Sequence, residues 1–157
     1  MADAVIIFIA QYLYLFVLLL GAVFFFREPR GEWKQLIVCG AVVAALAFIA
    51  SRVAAFFYYD PRPFVVGRFT PLFPHAADNG FPSDHALLTG AIATVVYLFN
   101  KKWSIAFWAL AFLIGWARVA SGVHHTTDIA GSFAIAIASG AVYYFFIGRK
   151  RTPELAR

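Results

Sequence analysis

The stretch Ala4–Phe26, AVIIFIAQYLYLFVLLLGAVFFF, carries no charge and only one strongly polar side chain, Gln11. About 20 residues at ~1.5 Å rise cross a bilayer core of roughly 30 Å. A run of this length with no period-2 alternation predicts a membrane-spanning helix, because only helices and closed barrels satisfy the backbone in lipid. Asp3 is its only early charge, so the basic leader of a cleaved signal peptide is missing. The run is therefore expected to be retained as a span.

The same pattern repeats along the chain. Gln35–Phe57 predicts a second span, and Ala86–Phe99 a shorter third that starts as a helix at Ser83 or Asp84. Trp103–Val119 and Thr127–Ile147 complete an all-α, polytopic bundle of about five spans. With 157 residues, 62% apolar and 13% charged, the chain is used up by one integral membrane domain over 1–157. The net charge of +5 does not point to nucleic acid, because the basic residues sit at the ends of apolar runs rather than in a patch. The single cysteine, Cys39, lies within an apolar run and reads as a small core residue. The sequence holds no thiolate metal site and no disulfide framework.

Charge also sets the expected orientation. Arg27, Arg30 and Lys34, then Lys101 and Lys102, then Arg149, Lys150, Arg151 and Arg157 fall on one side: nine of the 13 basic residues. The positive-inside rule assigns that side, including the basic tail 148–157, to the cytoplasm and leaves the N-terminus outside. Arg62, Arg118 and all four histidines then share the outer face.

Three polar clusters lie there. In Arg118-Val-Ala-Ser-Gly-Val-His124-His-Thr-Thr-Asp128 an arginine ends one span, a histidine follows, and a carboxylate opens the next helix. A neutral imidazole can attack phosphorus, a carboxylate on its other ring nitrogen fixes the tautomer, and a guanidinium matches phosphate oxygens. Pro82-Ser83-Asp84-His85 reads as a helix start that Ser83 or Asp84 can cap, with free N–H groups suited to an anion and His85 able to protonate a leaving oxygen. Asp60-Pro61-Arg62-Pro63 holds Arg62 in a segment that cannot stay helical. Arg52 is the unusual charge: it lies inside the second span and is expected to face the bundle interior or a polar cavity.

Taken together, these residues resemble the type 2 phosphatidic acid phosphatase superfamily. The resemblance covers residues from about 52 to 131. Its signatures are a lysine, six residues, then Arg-Pro; Pro-Ser-Gly-His; and Ser-Arg, five residues, His, three residues, Asp. The chain shows Arg62-Pro63, Pro82-Ser83-Asp84-His85, and Ala117-Arg118 followed by His124 and Asp128 at the family spacing. The resemblance implies a phosphohistidine on His124, support from Asp128, and His85 as general acid. It further implies Arg62, Ser83 and Arg118 as phosphate ligands, with no metal or other cofactor. Three positions depart from the pattern. Ala55 stands where the family has lysine, and Arg52, one turn earlier, is expected to take its place. Ala117 replaces serine. Asp84 replaces glycine, as in the undecaprenyl pyrophosphate phosphatase branch, and is expected to turn away or to pair with Arg62 or Arg68. Spacing selects His124 over His125, which reads as interfacial, and His75 belongs to no motif.

The implied partners are a lipid phosphate or diphosphate and the surrounding membrane lipids; the sequence sets no oligomeric state. The leading expectation is an undecaprenyl-diphosphatase-like enzyme of the inner membrane, with its site on the outer side. The alternatives are a phosphatase for phosphatidic acid, phosphatidylglycerol phosphate or a lipid A phosphate, and a non-catalytic lipid-binding or transport member.

Overall fold

The computed structural model describes residues 1–148; the basic tail from Arg149 onward lies outside the described residues. Six α-helices follow one another: α1 (Ala2–Arg27), α2 (Trp33–Phe57), the five-residue α3 (Pro63–Gly67), α4 (Asp84–Phe99), α5 (Lys101–Ala120) and α6 (Thr126–Phe146). A 3-10 turn at Arg30–Glu32 leads into α2. Among the described residues there is no strand, only an isolated bridge between Pro61 and Asn79. The boundaries expected from the sequence for the five long helices hold to within two residues at every end, whereas α3 has no counterpart among the expected elements.

Among the described residues four helices are long and apolar enough to cross a membrane: α1, the turn with α2, α5 and α6. The fifth, α4, has 16 residues and spans only about 24 Å. It tolerates that length because it is the interior helix. Ala93 and Val96 pack with Val17 and Phe24 of α1, Leu36 of α2, and Phe107 and Ile114 of α5. Ala91 packs with Cys39 and Val43 of α2 and with Ala136 and Tyr143 of α6. Cys39 is fully buried, a core residue in this bundle.

The bundle is built by the rules of a membrane interior. Lipid tails are as apolar as leucine, so close packing and internal hydrogen bonds hold helices together. Gly90 illustrates the first: a Cβ there would meet Phe133 Cδ1 of α6 at 2.9 Å, so the small residue sets the α4–α6 approach. Inward hydroxyls illustrate the second. Thr89 Oγ1 donates to His85 O at 2.8 Å, and Ser132 Oγ to Asp128 O at 2.7 Å, so both hydroxyls are satisfied within their own helices. The outer surface is greasy: Phe8, Phe16, Leu19, Phe48, Ile49, Ile105 and Phe145 are all exposed.

The two ends of the bundle differ. The Arg27 guanidinium lies 5.6 Å from the Trp103 ring centroid, so the α1–α2 and α4–α5 connections share one end. Asn100 caps α5 there, accepting from the Lys102 and Trp103 N–H groups at 3.1 Å. At the opposite end α2 finishes, α4 begins, α5 finishes and α6 begins. The residues of the three polar clusters meet at that end.

Candidate active site

A cavity of about 300 Å³ is lined by Arg52, Arg62, His75, Asp84, His85, Arg118 and His124, among others. The elements that deliver them are far apart in sequence, and three local devices bring them together.

The α5–α6 turn supplies the first. His124 Nδ1 lies 3.1 Å from Asp128 Oδ2, and the same oxygen accepts the His125 N–H at 2.8 Å. Asp128 sits in the first turn of α6, where a carboxylate is favoured by the helix dipole. It can only accept, so Nδ1 carries the ring hydrogen and Nε2 keeps its lone pair. That lone pair faces Arg62 Nη1 at 3.3 Å and Arg118 Nη2 at 3.2 Å. Burial pushes His124 below the ordinary histidine range. Asp128 pulls it up, the Arg118 and Arg62 charges push it down, and the neutral ring wins.

The loop before α4 supplies the second device. Arg62, 6% exposed, has its Nε on Asp78 Oδ1 at 2.7 Å, Nη1 on Val123 O at 2.8 Å and Nη2 on Asn79 O at 3.4 Å. Burial would raise the Asp78 carboxyl, but the hydrogen bond and charge of Arg62 outweigh it and hold it below the usual carboxylate range. Asn79 ties the loop to α2 by donating to Tyr58 O at 3.0 Å. Gly80 lets the loop close on the site: a Cβ there would meet Asp128 Oδ2 at 3.0 Å and Asp60 O at 3.1 Å.

The third device is the N-terminus of α4. Ser83 takes the N-cap position after the cis Phe81–Pro82 bond, yet its side chain makes no capping hydrogen bond. Of the two candidates, Ser83 or Asp84, Ser83 holds the cap position, but the side-chain capping bond expected of it is not made. Its hydroxyl is fully buried, and Ser83 Oγ, Arg118 Nε and Asp128 Oδ1 lack hydrogen-bond partners among the described residues. The His85 ring meets Tyr14 of α1 edge-on, with centroids 4.9 Å apart.

Asp84 corrects a second expectation. Its Oδ1 pairs with Arg52 Nη2 at 3.0 Å, not with Arg62 or Arg68. Arg62 is already taken by Asp78, and Arg52 on α2 faces α4 directly. Both partners are largely solvent-exposed, so the pair is weak and easily exchanged. The expectation that Arg52 faces a polar cavity holds: it lines the same cavity as Ala55, the position of the absent lysine.

His125 and His75 hold more than the sequence suggested. Besides its N–H on Asp128, His125 has Nε2 3.2 Å from Pro61 O and so pins the Asp60–Arg62 segment. His75 Nε2 lies 3.0 Å from Arg118 Nη2. Asp78, Asn79 and Tyr14 were missed altogether, since nothing in their local sequence marks them. Among the described residues no three His, Cys, Asp or Glu side chains group as a metal site.

The sequence profile of the PAP2 superfamily matches residues 36–152, which include every residue of the three clusters. The chain belongs to the PAP2 superfamily. Undecaprenyl-diphosphatase BcrC of Bacillus subtilis is 33% identical over 149 residues, covering 92% of this PAP2 chain and 74% of the relative. Putative undecaprenyl-diphosphatase YbjG of Escherichia coli is 30% identical over 153 residues, covering 95% and 77%. The crystal structure of Aquifex aeolicus LpxE is similar at a TM-score of 0.71 and 26% identity, over 91% of this chain and 87% of that one. The first transmembrane PAP2-type phosphatidylglycerolphosphate phosphatase from Bacillus subtilis shares the fold, with a TM-score of 0.64 and 21% identity over 97% and 79%. This PAP2 protein is a multi-pass membrane lipid phosphatase.

Proposed function

We propose that the protein hydrolyses a polyprenyl diphosphate, undecaprenyl diphosphate above all, to the monophosphate through a phosphohistidine on His124. The observation that carries the proposal is the setting of His124. It has a hydrogen-donating Nδ1 on Asp128 and an unprotonated Nε2 whose lone pair faces two guanidiniums.

In the first step Nε2 attacks the terminal phosphorus as the bond to the bridging oxygen breaks. Arg62 and Arg118 neutralise the charge on the equatorial oxygens, and Ser83 adds a neutral donor. The departing lipid monophosphate takes its proton from His85. Asp128 stabilises the imidazolium that forms, and does so without itself taking the proton. In the second step His85 accepts a proton from water, the water oxygen attacks the phosphohistidine, and the N–P bond breaks to release inorganic phosphate.

Arg52 serves the leaving side. A second phosphate on the substrate gives it a stronger partner than Asp84, and the exposed pair yields to it. Support for a diphosphate comes from this extra cation in the cavity that His85 lines and from relatives named as undecaprenyl-diphosphatases at 30% identity or more. Support for the outer face of the inner membrane comes from the basic connections gathered at the end away from the cavity. A second reading, hydrolysis of a lipid A phosphate, is favoured by a Lipid A 1-phosphatase of Rhizobium etli at 36% identity over 66 residues, 28% of that protein. Phosphate release by the purified protein from a panel of undecaprenyl diphosphate, phosphatidic acid, phosphatidylglycerol phosphate and lipid A separates the two. Run with and without EDTA, it also tests whether the arginines suffice without a metal. Preference for a monoester would overturn the diphosphate assignment.

A further inference from the structure

His75 sits in the long loop between α3 and α4 and belongs to none of the three clusters. It is nonetheless held as firmly as they are. Leu72 N–H donates to Ser121 O at 3.1 Å, and Phe73, buried, packs with Ala10, Ala117 and Val123. The Phe73 ring lies 5.5 Å from the Arg118 guanidinium carbon. His75 thus hangs from an anchored platform over the cavity it lines.

Its hydrogen bonds define its state. Arg118 has only donors, so the Nε2 that meets Nη2 at 3.0 Å is an acceptor. Nδ1 then carries the hydrogen, 3.4 Å from Ala76 O. The same Arg118 Nη2 also serves His124 Nε2 at 3.2 Å, and the two imidazole centroids are 6.2 Å apart. Arg118 is 3% exposed, and its partners among the described residues are neutral imidazoles rather than carboxylates.

We propose that His75 is a phosphate ligand whose charge is set by the substrate: it protonates when the anion binds and then donates Nε2–H to a phosphate oxygen. This rests on the reading of the cavity as the phosphate site. In the empty cavity His75 accepts from Arg118 and is neutral. A phosphate oxygen displaces it from Nη2, and a proton taken from solvent turns Nε2 from acceptor to donor. The charges around it favour that exchange. Arg62 before α3, Arg118 of α5 and His124 of the α5–α6 turn all disfavour a proton in the empty state, while Arg52 of α2, which lines the same cavity, is paired with Asp84. Asp78 of its own loop, Asp84 and His85 of α4 complete the surroundings. Burial and the Arg62 charge hold His75 below the ordinary histidine range, and an incoming dianion reverses the balance. The cavity, which Ala55 lines in place of the family's lysine, thereby gains a conditional cation.

Sulfate is the probe, because it stays a dianion over the pH range in which phosphate titrates. Calorimetry on the full chain in detergent, in buffers of different ionisation enthalpy, reads proton uptake on sulfate binding. The wild type should take up protons, and His75→Gln should take up as much as about one fewer per site near pH ~6.5. That variant should bind sulfate roughly tenfold or more weakly at low pH. It should raise KM for farnesyl diphosphate while leaving kcat within a few-fold. His75→Lys, charged throughout, should retain sulfate at high pH where the wild type releases it. Unchanged proton uptake and affinity in His75→Gln would remove His75 from the anion site. A collapsed kcat with intact sulfate binding would assign it to the chemical step instead. Should His75→Gln not fold, His75→Lys binding more weakly than wild type at every pH overturns the proposal. Failure of the underlying reading looks different: sulfate would not compete with the lipid in the wild type at all.

Discussion

His124 and Asp128 are joined Nδ1 to Oδ2 at 3.1 Å, both side chains nearly or wholly removed from solvent. Because the carboxylate oxygen also holds the His125 backbone N–H, the ring's orientation is fixed by the start of α6 itself. Asp128→Asn can instead present an N–H to Nδ1 and invert the tautomer. It should lower kcat by about 10²–10⁴-fold with little change in expression, measured as phosphate release. His125→Ala should stay active, whereas His124→Ala should not turn over. A dead His125→Ala beside an active His124→Ala would reverse the assignment.

The pH profile follows from the same environment. In the proposed mechanism the nucleophile is the neutral ring, which is present above its pKa and lost below it. Burial, Arg118 and Arg62 lower that pKa against the pull of Asp128. The acid limb of kcat/KM should therefore fall below the ordinary histidine value of about 6.5. Arg62→Gln removes a lowering influence and should move the limb upward; Asp128→Asn removes a raising one and should move it down. Shifts of opposite sign would contradict the geometry.

Arg52 and Asp84 form an exposed ion pair, which the proposed mechanism puts at the leaving side. Arg52→Ala should raise KM and lower kcat/KM for a diphosphate more than for a monophosphate, and Arg52→Lys should rescue it poorly because a point charge loses the fork. Asp84→Asn frees Arg52 and should lower KM. Equal losses on both substrate classes in Arg52→Ala would make Arg52 a structural anchor.

Orientation has its own test. Ala77, exposed in the cavity-end loop, and Gly31, exposed in the basic connection, are suitable single-cysteine sites once buried Cys39 is replaced by alanine. A membrane-impermeant maleimide on intact cells should label Ala77→Cys and spare Gly31→Cys. The reverse pattern would put the cavity on the cytoplasmic side.

The helices were legible because lipid imposes a length and a polarity on each span, so α1, α2, α5 and α6 could be read from apolar runs alone. The short α4 was legible as an element, but not as the interior helix; that role depends on which faces of α1, α2, α5 and α6 close around it. His85, Arg118, His124 and Asp128 were legible because they sit at helix ends, where spacing along the chain nearly fixes spacing in space. His75, Asp78 and Asn79 lie in a loop folded by long-range contacts to Arg62, Arg118 and α2, and spacing says nothing there. Tyr14 reached His85 through helix packing, and Asp84 found Arg52 because Arg62 was already occupied.

The central claim is a covalent intermediate on His124, and trapping it is the most direct test. Rapid quenching into alkali during turnover of a terminally labelled lipid diphosphate preserves a phosphoramidate, which peptide mass spectrometry can locate. The account predicts label on His124, its disappearance on acid treatment, and none in His124→Ala. A burst-free reaction with no label on the protein, or label on any residue other than His124, would contradict it.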